Sequence, residues 1–154
     1  MWKRRYAVLG LFIVAQVSLA GTGALSIKVT ALDPIVRSGT KIIVKVTTTN
    51  RSNRSITYHD TQPDCDYSFT VLTETGTPTR ETDLKRTLAC GGEFKISGRD
   101  ILVTLKPSES HDDELELTHL YDMSNPGEYS IQVERTFPEI GHFRSNTLSI
   151  KVTK

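Results

Sequence analysis

The side chains that could do chemistry in this chain fall into three groups. Two cysteines, Cys65 and Cys90, stand alone; His59, Asp60, Asp64 and Asp66 sit close together; and His111-Asp112-Asp113-Glu114 forms a second polar run with His119 beyond it. Oxygen and imidazole donors of this kind suit Ca2+ or a transition metal. The first run, however, lacks the spacing of an EF-hand loop and has Cys65 between two of its acids. The second precedes Leu115-Glu116-Leu117, where acids keep a strand edge soluble. Both runs read as solvated acids, and no metal or other cofactor is expected. Nucleophilic catalysis needs a Ser, Cys or Thr activated by a base that a third group orients. His59, His111, His119 and His142 supply bases, but the chain contains no G-x-S-x-G, no H-E-x-x-H and no phosphate-binding glycine loop. Its single tryptophan, Trp2, leaves no tryptophan platform for sugars, although Tyr58, Tyr67 and Tyr121 could substitute. No catalytic residue is assigned, and the chain reads as non-enzymatic.

The redox reading of the cysteines depends on where the chain goes. Lys3-Arg4-Arg5 is followed by an apolar run from Tyr6 to Val17 and then by Ser18-Leu19-Ala20. That is the three-part layout of a secretory signal peptide. An apolar run of about twelve residues is too short for a membrane anchor, which needs roughly 20. No stable membrane span is expected after cleavage, and no cysteine follows the run to carry a lipid. Cleavage after Ala20 is the first choice and after Ala24 the second, leaving residues 21–154 as one domain in the periplasm or outside the cell. In that oxidising setting an isolated even pair of cysteines reads as one structural disulfide, Cys65–Cys90, and no CxxC spacing suggests a metal or redox pair. Closing a loop of about 25 residues would stabilise the fold by about 3.5 kcal/mol on the chain-entropy estimate.

Charge narrows the partners. The 154 residues carry 19 Lys plus Arg against 18 Asp plus Glu, and three of the cations lie in Lys3-Arg4-Arg5. Without the first twenty residues the formal charge is −2. A near-neutral surface gives no support to nucleic-acid binding. Asn50-Arg51-Ser52 and Asn53-Arg54-Ser55 are formal glycosylation sequons.

Period-two alternation must position these groups. Leu25 to Val29, Val44 to Thr47, Ser68 to Val71, Val103 to Leu105, Leu115 to Leu117, Tyr129 to Val133 and Leu148 to Val152 each place apolar side chains on one face. Turn formers separate them, among them Asp33-Pro34, Gln62-Pro63-Asp64, Lys106-Pro107 and Asn125-Pro126-Gly127. No twelve-residue window sustains a helical period, and the best helical candidate is Thr118 to Ser124. Seven or eight short strands predict an all-β, immunoglobulin-like antiparallel β-sandwich. The irregular stretch from Thr73 to Asp100 reads as a long excursion tied back through Cys65.

Several segments in order, Asp66-Tyr67-Ser68-Phe69-Thr70-Val71, Glu74-Thr75-Gly76-Thr77-Pro78, Leu105-Lys106-Pro107-Ser108-Glu109-Ser110, Leu120-Tyr121-Asp122-Met123-Ser124-Asn125-Pro126-Gly127-Glu128-Tyr129 and Ser145-Asn146-Thr147-Leu148, carry a resemblance. From about residue 25 to 153 the chain resembles small secreted bacterial Ig-like β-sandwich domains of uncharacterised type. It distantly resembles the N-terminal domain of deuterolysin-type metalloproteases and the bacterial intracellular proteinase inhibitor family. The resemblance implies a sandwich and a peptidase-related role, with loops near Arg80 to Arg99 or Pro138 to Arg144 as contact regions. Its motif residues have structural purposes: Pro126 fixes φ, Gly127 can take φ > 0, Tyr129 anchors the following strand, and Tyr121 buries its ring while its hydroxyl finds a backbone partner. Ser108 stands where the resembling pattern has Gly, which a type I turn tolerates and a type II turn does not.

The expectation is therefore a secreted or periplasmic binding module for another protein, with a peptidase inhibitor or protease-associated regulator as the alternative. Titrating thiols in unreduced, denatured mature protein should find none; two free thiols per chain would remove the bridge.

Overall fold

Alternating apolar residues bury one face of each strand, so two sheets must stack to cover both faces. The computed structural model describes residues 23–88 and 101–154; the proposed signal segment and Cys90 lie outside them. The described residues form ten strands and three short helices: β1 (Leu25–Ala31), β2 (Ile35–Arg37), β3 (Ile43–Asn50), β4 (Ile56–Asp60), α1 (Pro63–Asp66), β5 (Ser68–Thr73), α2 (Asp83–Thr87), β6 (Ile101–Leu105), β7 (Ser110–Glu116), α3 (Leu117–Leu120), β8 (Gly127–Phe137), β9 (Gly141–Arg144) and β10 (Leu148–Thr153).

One sheet has the order β1-β3-β7 and the other β2-β10-β8-β5, with β9 extending the β10 side of β8, while β4 and β6 make a separate two-stranded ribbon. This is an immunoglobulin-like β-sandwich, in which the first stretch of chain serves both sheets. The chain leaves β1, crosses at Asp33-Pro34, and β2 pairs with β10 in parallel, Val36 facing Val152. All other strand pairs are antiparallel. Proline suits the crossing because it withholds no ladder donor at an edge; its carbonyl accepts from Lys151 N at 2.8 Å.

The core lies between Val29, Val44, Val46 and Leu115 of one sheet and Phe69, Val71, Ile131, Val133 and Ile150 of the other, all buried. Burying each such side chain stabilises the fold by about 1.5–3 kcal/mol before entropy is charged against it. Leu117 and Leu120 of α3 are fully buried beneath the sandwich.

Several local expectations change. There are ten described strands rather than seven or eight, because short β2, β4 and β9 lie outside the alternating runs. His111 to Glu114 do not precede a strand; they lie inside β7. Leu117 ends the alternation by opening α3, so the helical turn is earlier and shorter than Thr118 to Ser124. The irregular stretch after β5 contains α2, whose N-cap Thr82 accepts from Lys85 N through its hydroxyl at 3.2 Å.

Three turn devices set the strand ends. Tyr129 donates its hydroxyl to Asn125 O at 2.7 Å, tying the start of β8 to the Pro126-Gly127 turn, and Gly127 has φ of 157°. Tyr121 is buried and donates to Phe69 O at 2.8 Å, joining the segment after α3 to β5. Asn50, fully buried, donates to Leu105 O and Arg54 O at 2.9 and 2.7 Å and accepts from Ser52 N at 2.9 Å. The first sequon thus has its amide nitrogen consumed inside the fold.

Between Asn50 and β7, Glu109 N closes the turn on Lys106 O at 3.0 Å, with Pro107 and an exposed Ser108 in its centre. Ser108 has φ of 67°. A positive φ at the third position is the type II arrangement, the one an L side chain resists. Ser108→Gly is therefore expected to stabilise the protein by about 0.5–1 kcal/mol after glycine's own entropy cost, read as a raised urea midpoint with unchanged slope.

Candidate functional site

The inward face of β8 runs Tyr129, Ile131, Val133, Arg135, Phe137, all buried, so one guanidinium occupies a position that alternation assigns to an apolar side chain. Arg135 has a side chain only 3% exposed. An unpaired charge there would cost several kcal/mol, so its surroundings must supply partners. They do so from two directions. The rings of Tyr58, Tyr67 and Phe137 lie 5.2, 4.8 and 4.6 Å from the guanidinium carbon. Nη1 donates to Asp60 Oδ1 at 2.9 Å, and Nη2 donates to His59 O at 2.9 Å and Asp66 Oδ2 at 3.2 Å. Burial works against the arginine's charge, but Tyr67, Asp66 and Asp60 outweigh it and hold its pKa above the usual value.

Each partner is positioned by a local rule. Asp60 and Tyr58 are two apart on β4 and share its buried face. Pro63 opens α1, and the single turn brings Asp66 back so that its carboxylate accepts from Thr61 N at 2.7 Å and Thr61 Oγ1 at 2.6 Å. Tyr67 follows α1 and donates its hydroxyl to Asp113 Oδ2 at 2.6 Å. Asp113 and His111 are two apart on β7 and point to the same side, with Asp113 buried and His111 partly exposed. His111 Nε2 lies 3.6 Å from Asp60 Oδ2 and 3.4 Å from Asp113 Oδ1.

The tyrosines are held neutral. Burial first, then the Asp113 charge and its hydrogen bond, push the Tyr67 hydroxyl far above the ordinary tyrosine value. Burial also dominates at Tyr58, where Arg135 opposes the shift and Asp60 and Asp113 reinforce it. At Tyr121 burial, aided by Glu81, raises the hydroxyl to about 12.

The two polar runs of the sequence are thus not separate surfaces. Asp60 and Asp66 of the first and His111 and Asp113 of the second meet around Arg135, a residue that motif reading passed over. The signal was present: Arg135 keeps phase with Ile131 and Val133, Asp113 with Leu115, and Asp60 with Tyr58. Other sequence candidates lie elsewhere. Asp112 and Glu114 take the exposed face of β7; Asp112 pairs with Thr47 Oγ1 at 2.6 Å and Lys45 Nζ at 3.2 Å, and those hydrogen bonds lower its pKa. His119 sits 3.1 Å from Glu116 and His142 3.4 Å from Glu134, both at the surface. Cys65 belongs to α1; no free cysteine occurs among the described residues, and Cys90, its expected partner, lies outside them. Tyr121, Pro126, Gly127 and Tyr129 serve the turns described above.

Two open grooves lie at the surface, one near α2 and α3 and one beside this interior. One, of about 520 Å3, is lined by Lys41, Arg80, Arg86, Glu81, Asp83 and Glu116. The other, of about 570 Å3, runs beside α1 and is lined by Asp64, Asp66, Lys85, Glu134, Arg135 and His142. Both mix charges of either sign, unlike the mainly apolar clefts that take small molecules. Among the described residues no helix is long and apolar enough to cross a membrane. Arg135→Met, which leaves Asp60 and Asp66 facing a desolvated hole, is expected to cost about 3–5 kcal/mol in urea unfolding. A loss under about 1 kcal/mol would show that the carboxylates find water instead.

No family model matches the chain, and no curated protein matches it significantly. Among solved structures, it is similar to the CARDB domain of a Pyrococcus furiosus protein, solved in complex with di-metal ions. That likeness has 12% identity and a TM-score of 0.41, covering 83% of this chain and 91% of that one. It is also similar to BslA, a bacterial hydrophobin, with 13% identity and a TM-score of 0.40, covering 86% of this chain and 97% of that one. Neither is a deuterolysin-type protease or a proteinase inhibitor, and the narrower motif resemblance stays a proposal.

Proposed function

We propose that this chain is an exported, non-enzymatic binding module that recognises another protein in the periplasm or outside the cell. The supporting observation is the β4–β6 ribbon. Its two strands pair from Ile56–Leu105 to Asp60–Ile101, with Tyr58 and Leu105 buried. On the outward face Leu102, opposite His59, is 63% exposed; Ile101, opposite Asp60 on the other face, is exposed at the strand start. Among the described residues β6 pairs with β4 alone. An edge strand that displays apolar side chains is a template onto which an extended segment of another protein can add, with the ladder supplying affinity and the side chains specificity. Open grooves of mixed charge and a near-neutral mature surface accord with a protein partner rather than nucleic acid. Export through residues 1–20 and the Cys65–Cys90 bridge belong to the same reading.

The motif resemblance supports a narrower form, in which the partner is a peptidase and the chain inhibits or regulates it. Fold-level and motif-level analogy alone carries that version. The β8–β9 hairpin, spanning Pro138 to Arg144, and the segment around α2 are its contact loops.

Immobilised mature protein, exposed to its own culture supernatant, should retain a defined partner that Leu102→Asp releases by at least about tenfold, a change of about 1.4 kcal/mol. Circular dichroism should be unchanged in that variant. Equal retention by both forms, or none by either, overturns the ribbon as the contact. For the narrower version, a panel of bacterial proteases and metalloproteases should include one that the mature protein slows; unchanged rates at micromolar protein discard it.

A further inference from the structure

The polar interior contains one arrangement that neither the stability of Arg135 nor the binding ribbon requires. Asp60 Oδ2, Asp113 Oδ1 and His111 Nε2 converge, with their donor atoms all within 4.8 Å of one another. Each carboxylate is used on its far side: Asp60 Oδ1 accepts from Arg135 and Asp113 Oδ2 accepts from Tyr67. Their near oxygens face the imidazole. A protonated imidazole donating to a carboxylate would sit at about 2.7–2.9 Å, whereas the observed separations are 3.4 and 3.6 Å. Bonds of about 2.0–2.1 Å meeting at the tetrahedral angle place neighbouring donors about 3.3–3.4 Å apart. The two imidazole–carboxylate separations are close to those of ligands sharing an ion, and the two carboxylate oxygens lie within 4.8 Å of each other.

Two independent features point the same way. Tyr58, 4% exposed, has a hydroxyl with no hydrogen-bond partner. It shares the buried face of β4 with Asp60 and lies within electrostatic reach of both Asp60 and Asp113. A buried hydroxyl left unsatisfied costs about 1–3 kcal/mol, and a water bound to an ion at this triad would satisfy it. The second feature is charge. Asp60 and Asp66 pair with Arg135 and Asp113 accepts from the Tyr67 hydroxyl, so three carboxylates are offset by one buried cation, a formal excess of two negative charges before His111 is counted.

We propose that Asp60, His111 and Asp113 form a site for one first-row divalent cation, with Zn2+ the best match to a nitrogen and two carboxylate donors. Arg135 and Tyr67 act as the outer partners that orient the two carboxylates. The partly exposed edge of His111 is the route of entry from solvent. The ion would staple β4 to β7, two strands that share no ladder.

The test uses mature protein stripped with a chelator and dialysed. Titration with Zn2+ should show one ion per chain and a melting temperature that rises with Zn2+ concentration, and Co2+ in its place should give the visible absorption of a tetrahedral site. His111→Ala and Asp113→Asn should abolish binding, Tyr67→Phe should weaken it about 10- to 100-fold without losing it, and Asp112→Asn, on the opposite face of β7, should leave it intact. Absence of any Zn2+ binding or thermal shift in the wild-type protein overturns the proposal even if a variant fails to fold. So does binding that His111→Ala and Asp113→Asn retain unchanged.

Discussion

The burial of one guanidinium governs the polar half of this molecule. Arg135 stands on the inward face of β8, the strand that pairs on both sides and runs through the middle of its sheet. Moving that charge out of water is affordable only with carboxylates at hydrogen-bond distance and rings against its faces. The ribbon strand β4 supplies Asp60, α1 supplies Asp66, and Tyr58, Tyr67 and Phe137 supply the rings. Through Tyr67 the same demand reaches Asp113 on the facing sheet. Each charged group is paired because its neighbour would otherwise be stranded, which is the condition under which buried polar networks specify an arrangement.

The apolar half obeys a simpler rule. Valines and isoleucines from β1, β3, β8 and β10 interdigitate between the sheets, and three hydroxyl or amide side chains, Tyr121, Tyr129 and Asn50, satisfy backbone groups where strands begin or end. Those devices hold loops that cannot pair in a ladder. Their geometry leaves Ser108 in a left-handed conformation, a strain tolerated because the turn must meet Asn50: Ser108 N donates to Asn50 O, and Asn50 N donates to Glu109 O, both at 2.9 Å.

The two proposed roles divide along the same line. The outward face of the β4–β6 ribbon exposes Leu102, the residue proposed to meet another chain, while its inward face carries Tyr58 and Asp60 into the charged interior. In the proposed reading one strand would serve recognition on one side and the cation-suited cluster on the other, as period-two alternation permits. Occupation of the cluster would stiffen β4, and with it the edge proposed to bind.

Alternation alone determined that this protein is an all-β sandwich, since runs such as Tyr129 to Val133 and Leu148 to Val152 can bury only one face each. The same residues located the Asn125-Pro126-Gly127 turn, because proline and glycine restrict or release φ whatever lies around them. The site was a different matter. His59 to Asp66 and His111 to Glu114 look like two solvated acidic loops when each is read along the chain, for nothing local distinguishes an aspartate facing water from one facing an arginine some 75 residues away. Only the stacking of β4 and β7 against β8 decided that Asp60, His111 and Asp113 share one interior. The physical reason is that a charge's partner is set by sheet packing and strand register, long-range quantities that no stretch of sequence contains.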